Sequence, residues 1–403
     1  MQHSCIVVYT TVLAPVIAFR LSWILWPWYR LCLSLRFCFL TNISDGVGHI
    51  TLEIENFFLR LASGELSPQR RYIVLRPSHP ISKGFLSLYK QPFFFTSTHS
   101  WLYYLTFPLL IRYPKITLDA GFSRSKWNLL SPQNDASLAP NTWPRITTKS
   151  FNLREWEEYL VRKAQRPHLH PLRDLLPPQP VYPKCASKTA LIHLKTQCIN
   201  ATAAPTDPDT YLPTLQYLIA HDYQLIFVGR EIMPKSFQPY ITMNYSESSL
   251  ASFRNDYHIF RNADLAITGG SGIFFLANCL DVPLLYLNYW HLFRLPVGRK
   301  SMGVPTLVQN MSNEWLSFTQ QWAYYTEAHD AAAEIFPTEI LRPRNASADE
   351  ILEGCKELLA WGQQEESLPS PLQLKFRTLS CASQASPCRI SDYFLRKHIA
   401  RMG

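Results

Sequence analysis

The chain has 403 residues, 47% of them hydrophobic and 17% charged, with a formal net charge of +9. This composition excludes a disordered chain, and the length exceeds the size at which one hydrophobic core usually stops growing, so we expect two domains. The positive charge favours anionic partners such as phosphates, acidic lipids or acidic glycans. Nucleic acid is not an expected partner, because the Lys and Arg residues are scattered and form no basic stripe interleaved with aromatics.

The chain contains nine cysteines, an odd number. Several lie in apolar, periodic segments, where a reduced thiol packs as a small hydrophobe. Cysteine usage therefore favours a reducing compartment and a cytoplasmic location. The cysteines in such segments are Cys32, Cys38, Cys279 and Cys355.

Residues 1–35 form an apolar segment whose longest uncharged run, Ile6 to Phe19, is shorter than the roughly 20 residues that span a bilayer. No Lys or Arg precedes this run, so a signal peptide is not expected. Two interpretations remain: a helix at the membrane interface on the inner face, or a buried helix of the N-terminal domain. The aromatic and basic residues at headgroup depth in the first interpretation are Arg20, Trp23, Trp26, Trp28, Tyr29, Arg30 and Arg36.

Strand and helix patterns alternate over residues 36–165 and indicate a first doubly wound, Rossmann-like domain with a parallel sheet. A proline-rich segment, 166–186, follows. The six prolines between Arg166 and Pro183 predict an interdomain linker without a helix or central strand. The predicted strands of the first domain are Leu35–Leu40, Tyr72–Leu75 and Phe93–Thr96, and its helical segments are Ile50–Leu61, Phe85–Tyr89 and Trp101–Leu110.

Strand and helix patterns alternate again over residues 187–365 and predict a second Rossmann-like domain facing the first across a cleft. Residues 366–403 form a tail, and we expect its amphipathic helix to pack back on the N-terminal domain. The strands predicted in the second domain are Thr189–Leu194, Gln224–Val228, Asp264–Thr268 and Pro283–Leu287. Its predicted helices are Asp209–Ala220, Ser252–Arg261, Ile273–Leu280 and Ala348–Trp361.

The strongest local motif is Thr268-Gly269-Gly270-Ser271-Gly272, placed between a predicted strand and a predicted helix. A glycine-rich turn at this place points backbone N–H groups and the positive end of a helix towards one spot, which suits a phosphate. The spacing differs from the P-loop, dinucleotide and nucleophile-elbow patterns. The alternative is a tight turn that binds nothing.

A second motif, Asp45-Gly46-Val47-Gly48-His49, follows the first predicted strand. Its place at the carboxyl end of that strand would let Asp45 or His49 take a proton from an acceptor hydroxyl. The alternative is structural: Asp45 caps the helix that follows, and His49 covers its first turn.

Three cationic or imidazole side chains end strands of the second domain: His193, Lys195 and Arg230. A cation there would neutralise a diphosphate leaving group, although each residue alone is more often an ordinary surface charge. His168 and His170 in the linker have no carboxylate or cysteine arranged around them, so no metal site is expected.

The run from Asp256 through the Thr268–Gly272 motif to Tyr289 resembles the donor side of a bacterial family of predicted glycosyltransferases found with surface-polysaccharide genes. The segments Gly46–Ile50 and Tyr211–Leu218 are also similar, and the resemblance extends roughly from Arg36 to Trp361. It implies a GT-B fold, a nucleotide-sugar bound by the C-terminal domain, and no cofactor or obligatory metal.

The chain also departs from that family. Where the family has His-Val-Arg, this chain has His193-Leu194-Lys195, and Lys lacks the bidentate grip of Arg on phosphate oxygens. A pair of arginines expected before Asp256 is replaced by Leu250 and Ala251. Slow turnover, a different donor, or binding without catalysis all remain open.

The resulting hypothesis is a hexosyl or related glycosyltransferase, which moves a sugar from a nucleoside-diphosphate donor to a cell-surface glycan or lipid-linked acceptor. One rival is a nucleotide-sugar epimerase on the same scaffold. The other is a non-catalytic, membrane-peripheral protein of glycan assembly, which the missing arginines favour.

Overall fold

The computed structural model describes residues 13–20, 22–41, 47–75, 88, 93–97, 100–119, 153–166, 169–175, 188–196, 205–290, 292, 296, 298, 300–327, 340–362, 368–379, 386 and 388–402. The chain divides into two compact units. The first unit contains residues 1–45 and 60–152, and the second contains residues 46–59 and 153–403. Each has a parallel sheet, which confirms the predicted α/β class.

The sheet of the first unit has four parallel strands in the order β3-β2-β1-β4. The sequence predicts three of them to within two residues, whereas β4 is too short for its pattern to be recognised. The strands are β1 (Phe37–Thr41), β2 (Arg71–Leu75), β3 (Phe94–Ser97) and β4 (Thr117–Asp119).

Among the described residues, three helices lie wholly in the first unit, and a fourth, α3, begins in the second unit and ends in the first. Helix α2 buries Leu25, Tyr29 and Cys32, which recur at helical spacing along one face, against strand β1 and against Leu109 and Leu110 of the helix that precedes β4. None of the helices in the described ranges is long and apolar enough to span a membrane. The four helices are α1 (Ala14–Arg20), α2 (Ser22–Ser34), α3 (Val47–Ala62) and α4 (Ser100–Arg112).

The sheet of the second unit has seven parallel strands in the order β13-β10-β9-β8-β5-β6-β7, and β11 and β12 form a separate antiparallel pair. Its central strands β8 and β9 are buried along their whole length and rich in apolar residues, as expected for a parallel sheet covered on both faces. The strands are β5 (Lys188–Ile192), β6 (Tyr223–Phe227), β7 (Met243–Asn244), β8 (Leu265–Thr268), β9 (Leu284–Tyr289), β10 (Ser301–Pro305), β11 (Leu307–Asn310), β12 (Leu341–Arg344) and β13 (Arg389–Ile390).

The helices of the second unit include one inside the proline-rich segment, where no helix is predicted. This helix, α6, begins at Pro171, because the first helical position needs no backbone N–H and suits the fixed φ of proline. The helices are α5 (Leu153–Gln165), α6 (Pro171–Leu175), α7 (Leu212–Ile219), α8 (Phe253–Arg261), α9 (Ile273–Cys279), α10 (Phe318–Glu327), α11 (Ala348–Gly362), α12 (Pro371–Arg377) and α13 (Asp392–Lys397).

The described part of the C-terminal tail packs within the second unit. Strand β13 pairs with β10, and the backbone N–H groups of Asp392 and Tyr393 donate to the carboxylate of Glu357 on α11. The sequence-based expectation places this tail against the N-terminal domain, but its described contacts are with the second unit. Short, isolated strands such as β13 give too little pattern to reveal this pairing in advance.

Helix α3 is buried on all sides from Ile50 to Leu59, including its polar residues. Glu55 on this helix pairs with Lys163 on α5 at 2.9 Å and accepts a hydrogen bond from the backbone N–H of Leu172. Burial raises the pKa of Glu55, and the charge of Lys163 opposes that rise. The same ammonium donates to the carbonyl of Leu169 at 2.7 Å, so α3 is tied to both α5 and the segment before α6.

Replacement of Lys163 by methionine is expected to lower the free energy of unfolding by about 3–5 kcal/mol, because Glu55 would remain buried without a counter-charge. The double variant Glu55→Gln/Lys163→Met keeps an acceptor for the Leu172 N–H and removes both charges, so it should lose less than the single variant. Urea unfolding of the three proteins measures this. If the single and the double variant lose the same free energy of unfolding, the charge of Lys163 is not what stabilises buried Glu55.

Candidate functional site

The seven-stranded sheet reverses its strand order between β5 and β8, since β6 and β7 follow β5 on one side and β9 and β10 follow β8 on the other. Ligands of open α/β sheets bind outside the carboxyl ends of the strands at such a switch point. The loops that leave these strands therefore form the candidate site. They contain His193–Thr196 after β5, Gly229–Glu231 after β6 and Gly269–Gly272 after β8.

The turn after β8 lies between the end of that strand and the start of α9 at Ile273. The N–H of Ser271 donates to the carbonyl of Gly269 at 2.7 Å, which closes the turn. Gly272 is exposed, and its amide donates to no group in the part of the chain that the structure describes. An exposed backbone donor at the start of a helix is suited to an anion.

Gly269 lies against the loop after β5. A Cβ added to it would stand 3.7 Å from the Cβ of Lys195, an ordinary van der Waals distance. The structure thus brings the glycine turn and Lys195, predicted as separate parts of the site, next to each other. Parallel strands that are neighbours in the sheet place their carboxyl ends at the same edge, which explains the proximity.

The start of α3 contacts the same turn. A Cβ on Gly48 would stand 2.5 Å from the Cα of Gly272, so only glycine allows the two backbones to approach this closely. The structure therefore places Gly48 of the second motif at the candidate site. Asp45 and Gly46 lie outside the described residues, and His49 is described only as part of the backbone of α3. Their roles stay predictions.

His193 is 3% exposed and lies beneath the loop after β6, where a Cβ on Gly229 would stand 2.5 Å from its Cδ2. Burial, with a further contribution from the charge of Lys195, lowers the pKa of His193 to about 4, although Glu231 opposes the shift. The imidazole is therefore neutral at pH 7, which corrects the expectation of a cation at this position. Its Nδ1 has no hydrogen-bond partner among the described residues.

Lys195 supplies the cation instead, and it is already paired. Its Nζ lies 2.8 Å from Oε1 of Glu231, and the hydroxyl of Thr196 donates to the other carboxylate oxygen at 3.3 Å. Glu231 is a site residue that the sequence analysis missed. The signal was present, because Glu231 comes shortly after a buried strand and directly after Arg230.

Arg230 points its guanidinium over the ring of Phe253, 4.9 Å from the centroid. It is also close enough to the carboxyl group of Asp256 to oppose the effect of burial, which raises the pKa of Asp256 to about 6. Tyr245 donates its hydroxyl to this carboxyl group at 2.9 Å. Arg230 therefore belongs to a cluster at the start of α8, a contact that its position after β6 does not predict.

Thr268 is fully buried, and its Oγ1 has no hydrogen-bond partner within the described residues. Buried polar atoms without partners are rare in folded proteins and call for an explanation. Together with Nδ1 of His193, two such atoms come from the ends of the two strands that flank the switch point.

The described residues contain no group of three or more His, Cys, Asp and Glu side chains that could hold a metal ion. His170 of the proline-rich segment lies instead in a charge network, with its Nε2 3.3 Å from Asp281 and its Nδ1 3.3 Å from Lys163. His168 lies outside the described residues.

No protein-family model matches the chain, and no curated protein matches it. Among solved structures, it is similar to ADP-heptose lipopolysaccharide heptosyltransferase II of E. coli, with 12% identity over 81% of this chain and 100% of that chain and a TM-score of 0.43. It is also similar to a family 9 glycosyl transferase of Veillonella parvula, with 10% identity over 81% and 98% of the two chains and a TM-score of 0.42.

A third similar structure is the iron-containing dodecameric glycosyltransferase TibC of enterotoxigenic E. coli. Identity is 13% over 62% of this chain and 57% of that chain, and the TM-score is 0.36. At TM-scores this low, the three likenesses assign neither a family nor an activity to this chain.

Replacement of Gly48 by alanine is expected to destabilise the protein by about 1–3 kcal/mol, because the new Cβ would meet backbone atoms of Gly272 that cannot rotate away. Gly269→Ala is the matched control in the same site, since its Cβ would meet only ordinary contacts. Urea unfolding of both variants tests the packing. A Gly48→Ala variant as stable as Gly269→Ala would show that the two backbones do not touch.

Acid is expected to lower the free energy of unfolding through the protonation of His193. The unfolded imidazole takes up a proton near pH 6.5 and the folded one only near pH 4, so stability falls as pH falls through this window, by about 3 kcal/mol from this group. A His193→Gln variant lacks this contribution. The difference in unfolding free energy between wild type and His193→Gln should therefore change by that amount between pH 6.5 and pH 4. If the unfolding free energies of the two proteins depend on pH in the same way, the imidazole is not buried and neutral.

Proposed function

We propose that the chain is a glycosyltransferase of GT-B organisation that moves a sugar, hexosyl or related, from a nucleoside-diphosphate donor to a cell-surface glycan or a lipid-linked acceptor. One observation carries the proposal. At the switch point of the second unit's sheet, the backbone N–H of Gly272, the buried hydroxyl of Thr268 and the buried Nδ1 of His193 have no hydrogen-bond partner among the described residues. Lys195 lies beside the same turn, since a Cβ on Gly269 would stand 3.7 Å from its Cβ, and its charge acts on His193.

The proposed donor site uses these groups according to their chemistry. The backbone of Gly269–Gly272, with the hydroxyl of Ser271, holds the diphosphate, because amide and hydroxyl donors at a helix start favour anions. His193 is neutral, so it acts as a hydrogen-bond donor to the leaving phosphate and not as a counter-charge. Lys195 supplies the positive charge.

Glu231 has a role of its own in this proposal. A carboxylate accepts hydrogen bonds only, and vicinal hydroxyls of a ribose or a sugar are the donors that would suit it. Its ion pair with Lys195 at 2.8 Å also keeps the ammonium in place. The pair thus offers an acceptor for hydroxyls beside a cation for phosphate.

The transfer step requires a base. In the proposed reaction the acceptor oxygen forms a bond to the anomeric carbon, the bond from that carbon to the diphosphate breaks, and the diphosphate leaves with the electron pair. Asp45 or His49 takes the proton of the acceptor hydroxyl. The contact of Gly48 with Gly272 supports this assignment, because it holds the residue before His49 at the donor turn. We propose that no metal ion or cofactor takes part.

A specific observation favours a second candidate, a glycan-assembly protein that binds the nucleotide without turnover. The charge of Lys195 is compensated by Glu231, and His193 carries no charge at neutral pH. The leaving phosphate would then meet little net positive charge. Binding and turnover therefore have to be measured separately.

The proposal predicts that nucleoside diphosphates and nucleotide-sugars raise the melting temperature of the purified protein, since a ligand that binds only the folded state stabilises it. A Thr268→Val variant has nearly the same shape without the hydroxyl, so its affinity should fall roughly tenfold. Its stability without ligand should equal or exceed that of wild type, because the substitution removes a buried hydroxyl that has no partner among the described residues. Thr378→Val removes an exposed hydroxyl elsewhere and serves as the control. Calorimetric titration measures the affinities.

Donor hydrolysis and transfer are followed in the same preparations. Binding with transfer supports the glycosyltransferase, and binding without hydrolysis or transfer supports the non-catalytic candidate. Release of a rearranged nucleotide-sugar would identify an epimerase. Absence of binding by any nucleotide, or equal binding by wild type and Thr268→Val, would overturn the proposed site.

A further inference from the structure

The first unit carries exposed aromatic side chains on α1 and α2, which we call the tryptophan face: Phe19, Trp23, Trp26 and Trp28, with Val16 and Leu31. Trp23 is 71% exposed and Trp28 is 61% exposed. Large apolar groups scattered singly over a surface are ordinary, but several together on two consecutive helices mark an interaction site. Both helices already bury another side in the first unit, so the exposure of the tryptophan face needs its own explanation.

The opposite side of α2 is packed into the first unit. Leu25 and Cys32 on that side are buried in the first unit, and the ring of Tyr29 stacks on that of Tyr113 with 4.2 Å between centroids. Helix α2 is therefore apolar on both sides. Clustered apolar side chains on the side that faces away from the core are usually covered by a partner, either protein or lipid.

Arginine side chains lie among the aromatic rings. The guanidinium of Arg30 lies 5.9 Å from the ring centroid of Trp26, and that of Arg112 lies 5.9 Å from the ring centroid of Phe19. The sequence contains no Asp or Glu in residues 13–41 or 100–118. Tryptophan mixed with arginine and without acidic residues is the composition of protein segments that lie at the headgroup level of a bilayer.

A basic cavity of about 390 Å³ adjoins the C-terminal end of α2. It is lined by Leu33 of that helix, by Arg36, Arg70 and Lys115, and by the polar side chains of Ser67 and Gln69. The three basic residues are exposed, and within the described ranges none of them pairs with a carboxylate. Arg36 donates to Oε1 of Gln69 at 3.1 Å, so that amide oxygen is already bonded. Three cations without a carboxylate partner in these ranges, together with the hydroxyl of Ser67, make a site for an anionic, phosphate-like group.

The cavity is distinct from the donor site proposed above. Arg36 directly precedes β1 and Arg70 directly precedes β2, so the cavity lies at the amino-terminal ends of the strands of the first unit. Nucleotide sites of doubly wound sheets lie at the carboxyl ends. The cavity therefore calls for a ligand of its own.

We propose that the tryptophan face and the basic cavity form one docking surface for a bilayer that contains acidic phospholipids. The aromatic side chains lie at interfacial depth, and a lipid phosphate occupies the cavity beside Leu33. Charge complementarity selects this occupant, because the surface offers only cations among apolar rings. The inference extends the proposed function, since a lipid-linked acceptor lies at such a surface, but its test needs no sugar donor.

Co-sedimentation of the full chain with vesicles tests the proposal. Wild type should bind phosphatidylglycerol–phosphatidylcholine vesicles more tightly than pure phosphatidylcholine vesicles, and added salt should weaken the difference. The double variant Arg70→Gln/Lys115→Gln should bind the acidic vesicles about 25-fold more weakly, at roughly fivefold for each basic residue near an anionic surface. Trp23→Ser/Trp28→Ser should weaken binding to both kinds of vesicle, by roughly tenfold or more.

Matched controls change the same properties elsewhere. Lys375→Gln/Arg254→Gln removes two exposed positive charges from the second unit, and Ile232→Ser/Leu368→Ser removes two exposed apolar side chains there. Both control variants should bind vesicles like wild type. Since all the changed side chains are exposed, melting temperatures should stay near that of wild type, which separates loss of binding from loss of fold.

Four results would overturn the proposal. They are absence of vesicle binding, equal binding to acidic and neutral vesicles, unchanged binding by the Arg70/Lys115 and Trp23/Trp28 variants, and a stable dimer in solution that dissociates in the Trp23→Ser/Trp28→Ser variant. A rise in melting temperature with free glycerol phosphate but no vesicle binding would likewise assign the cavity to a soluble ligand. Failure of the nucleotide to bind has no bearing on any of these outcomes.

Discussion

The burial of helix α3 on every side is the constraint on which the second unit depends. A helix without an exposed face has to satisfy its polar residues inside the protein, and Glu55 does so through Lys163 and the backbone N–H of Leu172. The same burial brings the start of the helix against the glycine turn, where Gly48 and Gly272 touch through their backbones. The ion pair of Glu55 with Lys163 therefore fixes α3 in the core, and the contact of Gly48 with Gly272 fixes the start of the helix at the candidate site.

The candidate site contains buried polar atoms without a partner in the described part of the chain. In the core the buried carboxylate of Glu55 is paired with Lys163, whereas Nδ1 of His193 and Oγ1 of Thr268 have no hydrogen-bond partner among the described residues. Their desolvation is unfavourable unless a ligand supplies the missing hydrogen bonds. The lowered pKa of His193 has the same origin, because a buried site that is next to Lys195 cannot easily accommodate a second positive charge.

The two units show different uses of charge. In the second unit the cations near the site are paired or stacked, as in the contacts of Lys195 with Glu231 and of Arg230 with Phe253. In the first unit Arg36, Arg70 and Lys115 line a cavity without a carboxylate partner in the described ranges. Paired cations keep their geometry for one ligand, whereas unpaired exposed cations raise the local potential and attract an anionic surface.

The sequence by itself determined the α/β class, most of the parallel strands and the glycine turn after β8, because periodicity, strand length and turn residues are local properties. It also indicated Lys195 and Gly48 as candidate residues, but not that they lie at the same turn. Only the tertiary structure decided that α3 belongs partly to the second unit, that Glu231 pairs with Lys195, and that His193 is neutral. Each of these depends on which distant segments pack together, and burial, pKa and ion pairing follow from that packing and not from the order of the residues.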